Sequence, residues 1–295
     1  MKLTSILTYF WFFSICTGYC WQIPLAVEAE TIIADNSQQQ TSIQDISAIQ
    51  TILTVPGIKV YKQKLDYIIE IDLSAGAEIE FLFGDVTNPG INQGAYGDND
   101  PEFQRQNIQE IWQKLSPQNQ RLTCLINAQF FRNDQNKSTA LAFPIKWQGV
   151  KITDGYAGEI EYPTEKKMLT INQDAANITD FLPADWLNSK SPNILVSLSP
   201  DADKGILKKT GRTFLGVSDR NHDGINETIV IFASRYASQI HAKSILQAWQ
   251  AKDMIMLDGG GSTQLICHDQ ILIDSPRTIP QFIGIFQGKS VDLQN

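Results

Sequence analysis

MIMLDGGGSTQLI, residues Met254 to Ile266, holds a strand, an acid, a bare loop, hydroxyls and a second strand in one short stretch. The run Met254–Leu257 is apolar, brief and bounded by polar segments, so it reads as a buried strand rather than a helix. It stops at Asp258. Gly259, Gly260 and Gly261 together surrender more backbone entropy on folding than an ordinary turn requires, so something needs the backbone bare. The usual reason is a ligand approaching main-chain N–H groups, which in such a loop form a concave nest for anions. Ser262, Thr263 and Gln264 add hydrogen-bonding side chains before Leu265-Ile266 resumes a strand. A tight hairpin whose glycines only allow positive φ is the plainer alternative. The full Asp-Gly-Gly-Gly-Ser-Thr run favours a functional loop.

Two further stretches carry chemical groups. In Leu122-Thr-Cys-Leu-Ile-Asn127-Ala-Gln-Phe130-Phe131 a strand delivers an Asn and then paired aromatics. An Asn at the end of a buried strand can present donor and acceptor to a ligand, or simply form a turn; Phe130 and Phe131 read as core. The second stretch is Arg212-Thr-Phe-Leu-Gly216-Val217, a strand opening on an arginine, with Glu227–Ala233 as its antiparallel partner. Between these strands lies Asp219-Arg-Asn221-His-Asp223-Gly224-Ile-Asn226-Glu227. Oxygen donors at alternate positions followed by Gly suit a compact calcium loop through Asp219, Asn221, Asp223 and Glu227. The distal Glu of a full helix–loop–helix hand is missing, and a metal-free Asp-Gly hairpin turn fits equally well.

Elsewhere Ile58–Val60, Tyr67–Leu73 and Glu78–Phe83 alternate as successive strands, and Glu102–Leu115 has the apolar stripe of a helix ending before Pro117. Short strands at Leu141–Trp147, Met168–Ile171 and Ile194–Leu198 surround a short helix near Ile178–Leu187. Tyr156, Glu159, Glu161 and Tyr162 are cleft candidates in that segment, although scattered Glu and Tyr are ordinary. A helix over Ser238–Lys252 leads into the Met254 strand. Ile271–Ile273, a turn at Ser275-Pro276-Arg277 and a strand over Ile279–Phe286 follow. Strands joined mostly by short turns, with few helices, predict an α+β class: one domain over 51–290, with a mixed or mainly antiparallel sheet.

A chain of 295 residues that is 42% hydrophobic can bury a substantial core. Its net charge of −8, with no Lys/Arg cluster, argues against a nucleic-acid binder. Lys2, the apolar run Ile6–Ile15 and the small residues around Val27–Ala29 predict a signal peptide over 1–29 and export to a periplasm or medium, with no membrane span after cleavage. Cys16 and Cys20 lack the context of a lipid-modified cysteine. Residues 30–50 read as a flexible polar leader. Cys124 and Cys267 remain in an oxidising compartment on two motif strands, which predicts a Cys124–Cys267 disulfide, with two buried thiols as the alternative. His222, His241 and His268 lack zinc spacing.

Taken together, Asn127-Ala-Gln-Phe130-Phe131, Arg212-Thr-Phe-Leu-Gly216, Leu257-Asp258-Gly-Gly-Gly-Ser262-Thr263 and the late Arg277, in that order, resemble the phosphodiester glycosidase family, whose type is a lysosomal uncovering enzyme. The resemblance spans roughly 51–286. Ala128 departs from the family's Asn-Gly-x-Phe-Phe, and the loop after Gly216 is an insertion the family does not require. The resemblance implies hydrolysis of a sugar-1-phosphodiester, with a phosphorylated carbohydrate as partner and no cofactor required for catalysis. It implies that Arg212 and Arg277 clamp phosphate, and that Gly259–Gly261, Ser262 and Thr263 hold the same anion or a sugar hydroxyl. Asn127 would orient the sugar, and Asp258 would act as acid, base or charge stabiliser. Beside two arginines, Asp258 is expected to have a depressed pKa. A non-catalytic phosphoglycan-binding module and a calcium-dependent surface protein are the rival classes.

Overall fold

The computed structural model describes residues 49–97 and 99–289. The signal peptide expected at 1–29, with Cys16 and Cys20, and all but the last two positions of the leader expected at 30–50 lie outside the described residues. Among the described residues no helix is long and apolar enough to cross a membrane.

Strands β1 (Gln50–Val55), β2 (Ile58–Gln63) and β3 (Asp66–Asp72) form a meander, followed by β4 (Glu78–Phe83), β5 (Val86–Asn88) and β6 (Glu102–Gln104). Helix α1 (Ile108–Leu115) leads to β7 (Leu122–Asn127), β8 (Ser138–Ala140), β9 (Ile145–Trp147) and β10 (Val150–Thr153). Next come β11 (Lys166–Ile171), β12 (Ala176–Asp180), helix α2 (Pro183–Asn188), β13 (Asn193–Leu198) and a long hairpin of β14 (Thr210–Ser218) and β15 (Thr228–Ala237). Helix α3 (Gln239–Ala248) precedes β16 (Asp253–Met256), a 3₁₀ turn at Gly260–Ser262, β17 (Leu265–Cys267), β18 (Gln270–Ile273) and β19 (Gln281–Phe286). An eleven-stranded sheet runs β1-β2-β3-β15-β14-β16-β13-β11-β12, with β9 on β13 and β10 on β9; a five-stranded sheet runs β18-β17-β7-β19-β4 and a small one β5-β6-β8.

The expected α+β class is overturned: 44% of the described residues are strand and 11% helix, a largely β fold of antiparallel sheets. Two expected helices shrink, each for a local reason. Within Glu102–Leu115, Glu102–Gln104 is the middle strand of the small sheet, and the helix starts at Ile108, where the Asn107 side chain accepts from Gln109 N at 2.8 Å. Within Ile178–Leu187, Ile178 pairs with Leu169, and the helix waits for Pro183, a residue suited to its first turn. Helices of 8, 6 and 10 residues are too short to make a layer of their own, so they cover parts of the sheets.

Burial on both faces of the large sheet explains its near-continuous apolar runs. Odd-numbered residues such as Ile69, Ile71, Leu215, Val217, Ile229, Ile231 and Ile255 join one core cluster with Leu125, Ile283, Ile285 and Phe81 of the five-stranded sheet. Even-numbered neighbours such as Ile68, Phe214, Val230, Phe232 and Met256 face a second cluster that includes Trp186 of α2 and Ala242 and Leu246 of α3. The period of two along each strand sends alternate side chains to opposite cores. Each fully buried Ile, Leu or Phe contributes about 1.5–3 kcal/mol to the fold.

Cys124 of β7 stands opposite Cys267 of β17 and is bonded to it, with Cα atoms 4.1 Å apart and a sequence separation of 143. A cross-link spanning so long a loop restricts the unfolded chain strongly. The double substitution Cys124→Ala with Cys267→Ala should cost about 2–4 kcal/mol in chemical denaturation. Reductant should lower the wild-type midpoint and leave the variant's unmoved; equal midpoints for wild type and variant would show that the bridge contributes nothing.

Candidate active site

The glycine loop is the crossover between the two sheets. β16 belongs to the large sheet and β17 to the five-stranded one, so 257–264 must leave one layer and enter the other. Both layers hold it: Leu257 N donates to Thr213 O of β14 at 2.9 Å, and Asp258 N to Ala128 O beyond β7 at 2.9 Å. Asn127 closes the seam. Its Nδ2 donates to Asp258 O at 2.7 Å, while its Oδ1 accepts from Thr213 Oγ1 at 2.9 Å and from Gln264 N at 3.3 Å. Fully buried and three times bonded, Asn127 is a brace for the loop rather than the sugar-orienting group expected of it.

The three glycines have separate reasons. A Cβ on Gly259 would stand 2.6 Å from Gly211 O, and one on Gly211 would stand 2.2 Å from Gly260 O, so the loop lies directly on the start of β14. Gly260 has φ +61°, a left-handed conformation that favours glycine. At Gly261 a Cβ would meet only ordinary contact, 3.5 Å from Arg277 Cδ. Three amides of the expected anion nest are already spent: Gly259 N on Asp258 Oδ1, Ser262 N on Gly259 O and Thr263 N on Gly260 O.

Asp258 is largely buried and lines a cleft of about 230 Å³, together with Phe130, Lys204, Lys208, Thr210 and Arg212. Desolvation by the surrounding protein pushes its pKa up, against the opposing pull of the Gly259 amide and of the Arg277 and Lys204 charges. The neighbouring Ser262 hydroxyl also favours the ionised form, without the geometry of a full hydrogen bond. The expected depressed pKa is therefore corrected, because burial outweighs the cations. One of the two expected arginines is also turned away. Arg212 Nη2 donates to Lys204 O, Gly205 O and Lys208 O at 3.1, 2.7 and 3.1 Å, and Nη1 to Gln239 Oε1 at 3.4 Å.

Arg212 thus ties down the 204–208 segment instead of clamping phosphate, and that segment supplies the cations. Lys204 Nζ donates to Tyr162 Oη at 3.0 Å and lies 5.4 Å from the Phe130 ring centroid and 5.3 Å from that of Tyr162. Arg277 stacks on Phe131 at 5.0 Å, donates to Asn133 Oδ1 at 2.9 Å and acts electrostatically on Asp258. Tyr156, under the Arg132 guanidinium at 4.6 Å, has its pKa pushed up to about 12, mainly by burial, with Glu161 and Asp258 adding to the rise. Tyr156 and Tyr162 therefore do gather near Asp258. Lys204, Lys208 and the cleft-facing Phe130 are missed by the sequence reading; no pattern marks the lysines, whose only signal is position just before Arg212.

Polar atoms around the loop are unusually unsatisfied: Ser262 Oγ, Thr263 Oγ1, Gln264 Oε1 and Arg212 Nε are buried without a hydrogen-bond partner. Buried orphans of this kind collect at functional sites. Asp219, Asn221, Asp223 and Glu227 are elsewhere, at the turn that follows Ser218, while Arg212 lies toward the other end of the hairpin. Six strand residues separate these positions by about 20 Å. A wider cleft of about 380 Å³, lined by Lys59, Glu70, Arg220 and Glu227, opens at that far turn and shares no residue with the glycine loop.

No family model and no curated protein matches the chain. Among solved structures, the catalytic domain of zebrafish N-acetylglucosamine-1-phosphodiester alpha-N-acetylglucosaminidase, auto-inhibited by its pro-peptide, aligns with a TM-score of 0.53 at 14% identity over 81% of each chain. A hypothetical protein from Synechocystis aligns at 0.42 and 14% identity, over 82% of this chain and 62% of that one. A putative exported protein from Burkholderia pseudomallei aligns at 0.44 and 10% identity, over 81% and 76%. The zebrafish alignment shows a distantly shared fold.

The raised pKa of Asp258 has a consequence for stability. A carboxyl whose folded pKa exceeds its unfolded value weakens the fold once pH rises through the folded pKa, and is without penalty below the unfolded one, about 3.9. Asp258→Asn, which keeps the shape and removes the charge, should raise Tm at neutral and alkaline pH. The gain should shrink as pH falls below the folded pKa and vanish only below about 3.9. A Tm for Asp258→Asn at or below wild type at pH 8 would mean that the carboxylate is well solvated or paired.

Proposed function

We propose that the protein is an exported hydrolase that cleaves a sugar-1-phosphodiester between the anomeric carbon and the phosphate oxygen. The observation that carries this reading is a desolvated carboxyl, Asp258, facing Lys204 in a cleft with an aromatic wall. The fold shared with the zebrafish glycosidase domain supports the same reading. Export is supported by the N-terminal sequence and by the Cys124–Cys267 bridge, since disulfides persist in oxidising compartments.

The chemistry follows from the leaving group. A phosphate monoester has a second pKa near 6 and departs without needing a proton. Help is needed at the other partner, water. Asp258 in its ionised form takes a proton from water as the water oxygen bonds to the anomeric carbon. The C–O bond breaks and its electron pair leaves with the phosphate, beside Lys204 and Arg277. A carboxylate whose pKa is raised toward the working pH is a stronger base for this task. Phe130 and Tyr162 offer apolar faces to a sugar ring, while Arg212 and Asn127 act through the segments they hold. No cofactor enters this scheme.

Incubation with a panel of sugar-1-phosphodiesters in ¹⁸O-water should release free sugar carrying the label and an unlabelled phosphomonoester. Asp258→Asn should lower kcat by roughly 10²–10⁴ while leaving substrate binding intact. The rate should fall as acid protonates Asp258, with the acid limb of kcat/KM lying above the ordinary carboxylate value of about 3.9. Full activity in Asp258→Asn would remove it from the chemistry. Binding of the panel without turnover would favour the phosphoglycan-binding module instead.

A further inference from the structure

We infer that the β14–β15 turn is a calcium site, built from Asp219, Asn221, Asp223, the main-chain carbonyl of Ile225 and Glu227. The turn presents oxygen donors at its first, third, fifth and ninth residues, with Gly224 at the sixth in a left-handed conformation of φ +90°. One carboxylate oxygen from each of Asp219, Asp223 and Glu227 lies within 4.8 Å of the others. Main-chain amides of Asp223 and Gly224 donate to Asp219, and that of Ile225 to Asp223, yet three carboxylates that close still favour a cation among them. Arg220, next to Asp219 in the chain, turns its guanidinium instead to Glu70 at 3.1 Å and Gln250 at 2.8 Å.

The independent sign of a missing ligand is Glu227. Its side chain is only 6% exposed, and its Oε2 is buried with no hydrogen-bond partner. Its Oε1 is engaged, accepting from Arg220 N at 2.9 Å and Thr228 Oγ1 at 3.2 Å, so the carboxylate is held in place with one oxygen unused. A buried carboxylate oxygen without a donor is costly unless a cation takes it. In a helix–loop–helix hand the twelfth position carries the bidentate Glu. Here that position is Val230, wholly buried in β15, so the acid must come earlier, from Glu227 at the root of the same strand. The donors are all oxygen and the loop is open on one side, which suits calcium over zinc and over the strict octahedron of magnesium.

Such an ion would lock a junction. Glu227 O accepts from Leu73 N just past β3 at 2.9 Å, Asn226 O accepts from Ala176 N of β12 at 2.9 Å, and Asn226 Nδ2 donates to Asn177 Oδ1 at 3.1 Å. Calcium would therefore fix the turn where the segments following β3, β11 and β14 meet, far from Asp258.

Chelator-stripped protein titrated calorimetrically with calcium chloride should bind one ion per chain, with a dissociation constant in roughly the micromolar-to-millimolar range, and magnesium more weakly. Tm should climb with the logarithm of calcium above that constant. Asp223→Ala, an exposed change, and Glu227→Gln should each weaken calcium at least about tenfold and remove the Tm rise at the same calcium concentration. If Glu227→Gln does not fold, Asp223→Ala alone decides. Wild-type protein with neither heat nor Tm shift, or undiminished affinity in Asp223→Ala, would overturn the site.

Discussion

The architecture depends on one seam, where the Asn127 side chain joins the end of β7 to β14 and to the loop that leaves β16. Two sheets can slide past one another when only apolar side chains separate them, because the hydrophobic effect has no direction. Directional bonds at a buried point remove that freedom. Asn127 spends one donor on Asp258 O and its oxygen on Thr213 and Gln264, so the main chain at Asp258 is referenced to both layers. The Cys124–Cys267 bridge, three residues back along β7, holds β7 to β17 covalently. Gly211 and Gly259 then allow the loop to rest on β14 without an intervening side chain.

Rigid support of this kind lets the cleft carry groups that a softer structure would not retain. Desolvating Asp258, and leaving Ser262, Thr263 and Gln264 with unpartnered polar atoms, costs free energy that the two packed cores on either side of the large sheet must offset. Cations reach the cleft indirectly. Arg212 and Gln239 hold the 200–205 region through Lys204, Gly205, Pro200 and Ala202 main-chain groups, so that Lys204 stands between Phe130 and Tyr162. Arg212 matters to the cleft through position, with its own guanidinium consumed by carbonyls.

Much of the strand pattern was legible because alternation and apolar runs report burial directly. Glu78–Phe83, Met168–Ile171 and Ile194–Leu198 correspond to β4, β11 and β13. The class was misread where two states share one pattern. Glu102–Gln104 carries an apolar residue compatible with either a helical stripe or an alternating strand, and pairing with β5 and β8 settles it. That pairing involves partners up to 38 positions away, which no local window contains.

By itself the sequence determined which residues are special: an Asp followed by three glycines, an Asn closing an apolar strand, an Arg opening another, and oxygen donors at alternate positions of a turn. These are statements about local chain chemistry, and local chemistry is what a sequence records. Only the tertiary structure decided what each one does. Asn127 and Arg212 have side chains able to meet either a ligand or the protein's own carbonyls, and the nearest carbonyls come from 131 and 7 residues away. The ionisation of Asp258 was likewise open, because a carboxyl's pKa follows from the balance of desolvation against charge. That balance exists only once distant strands have closed around it.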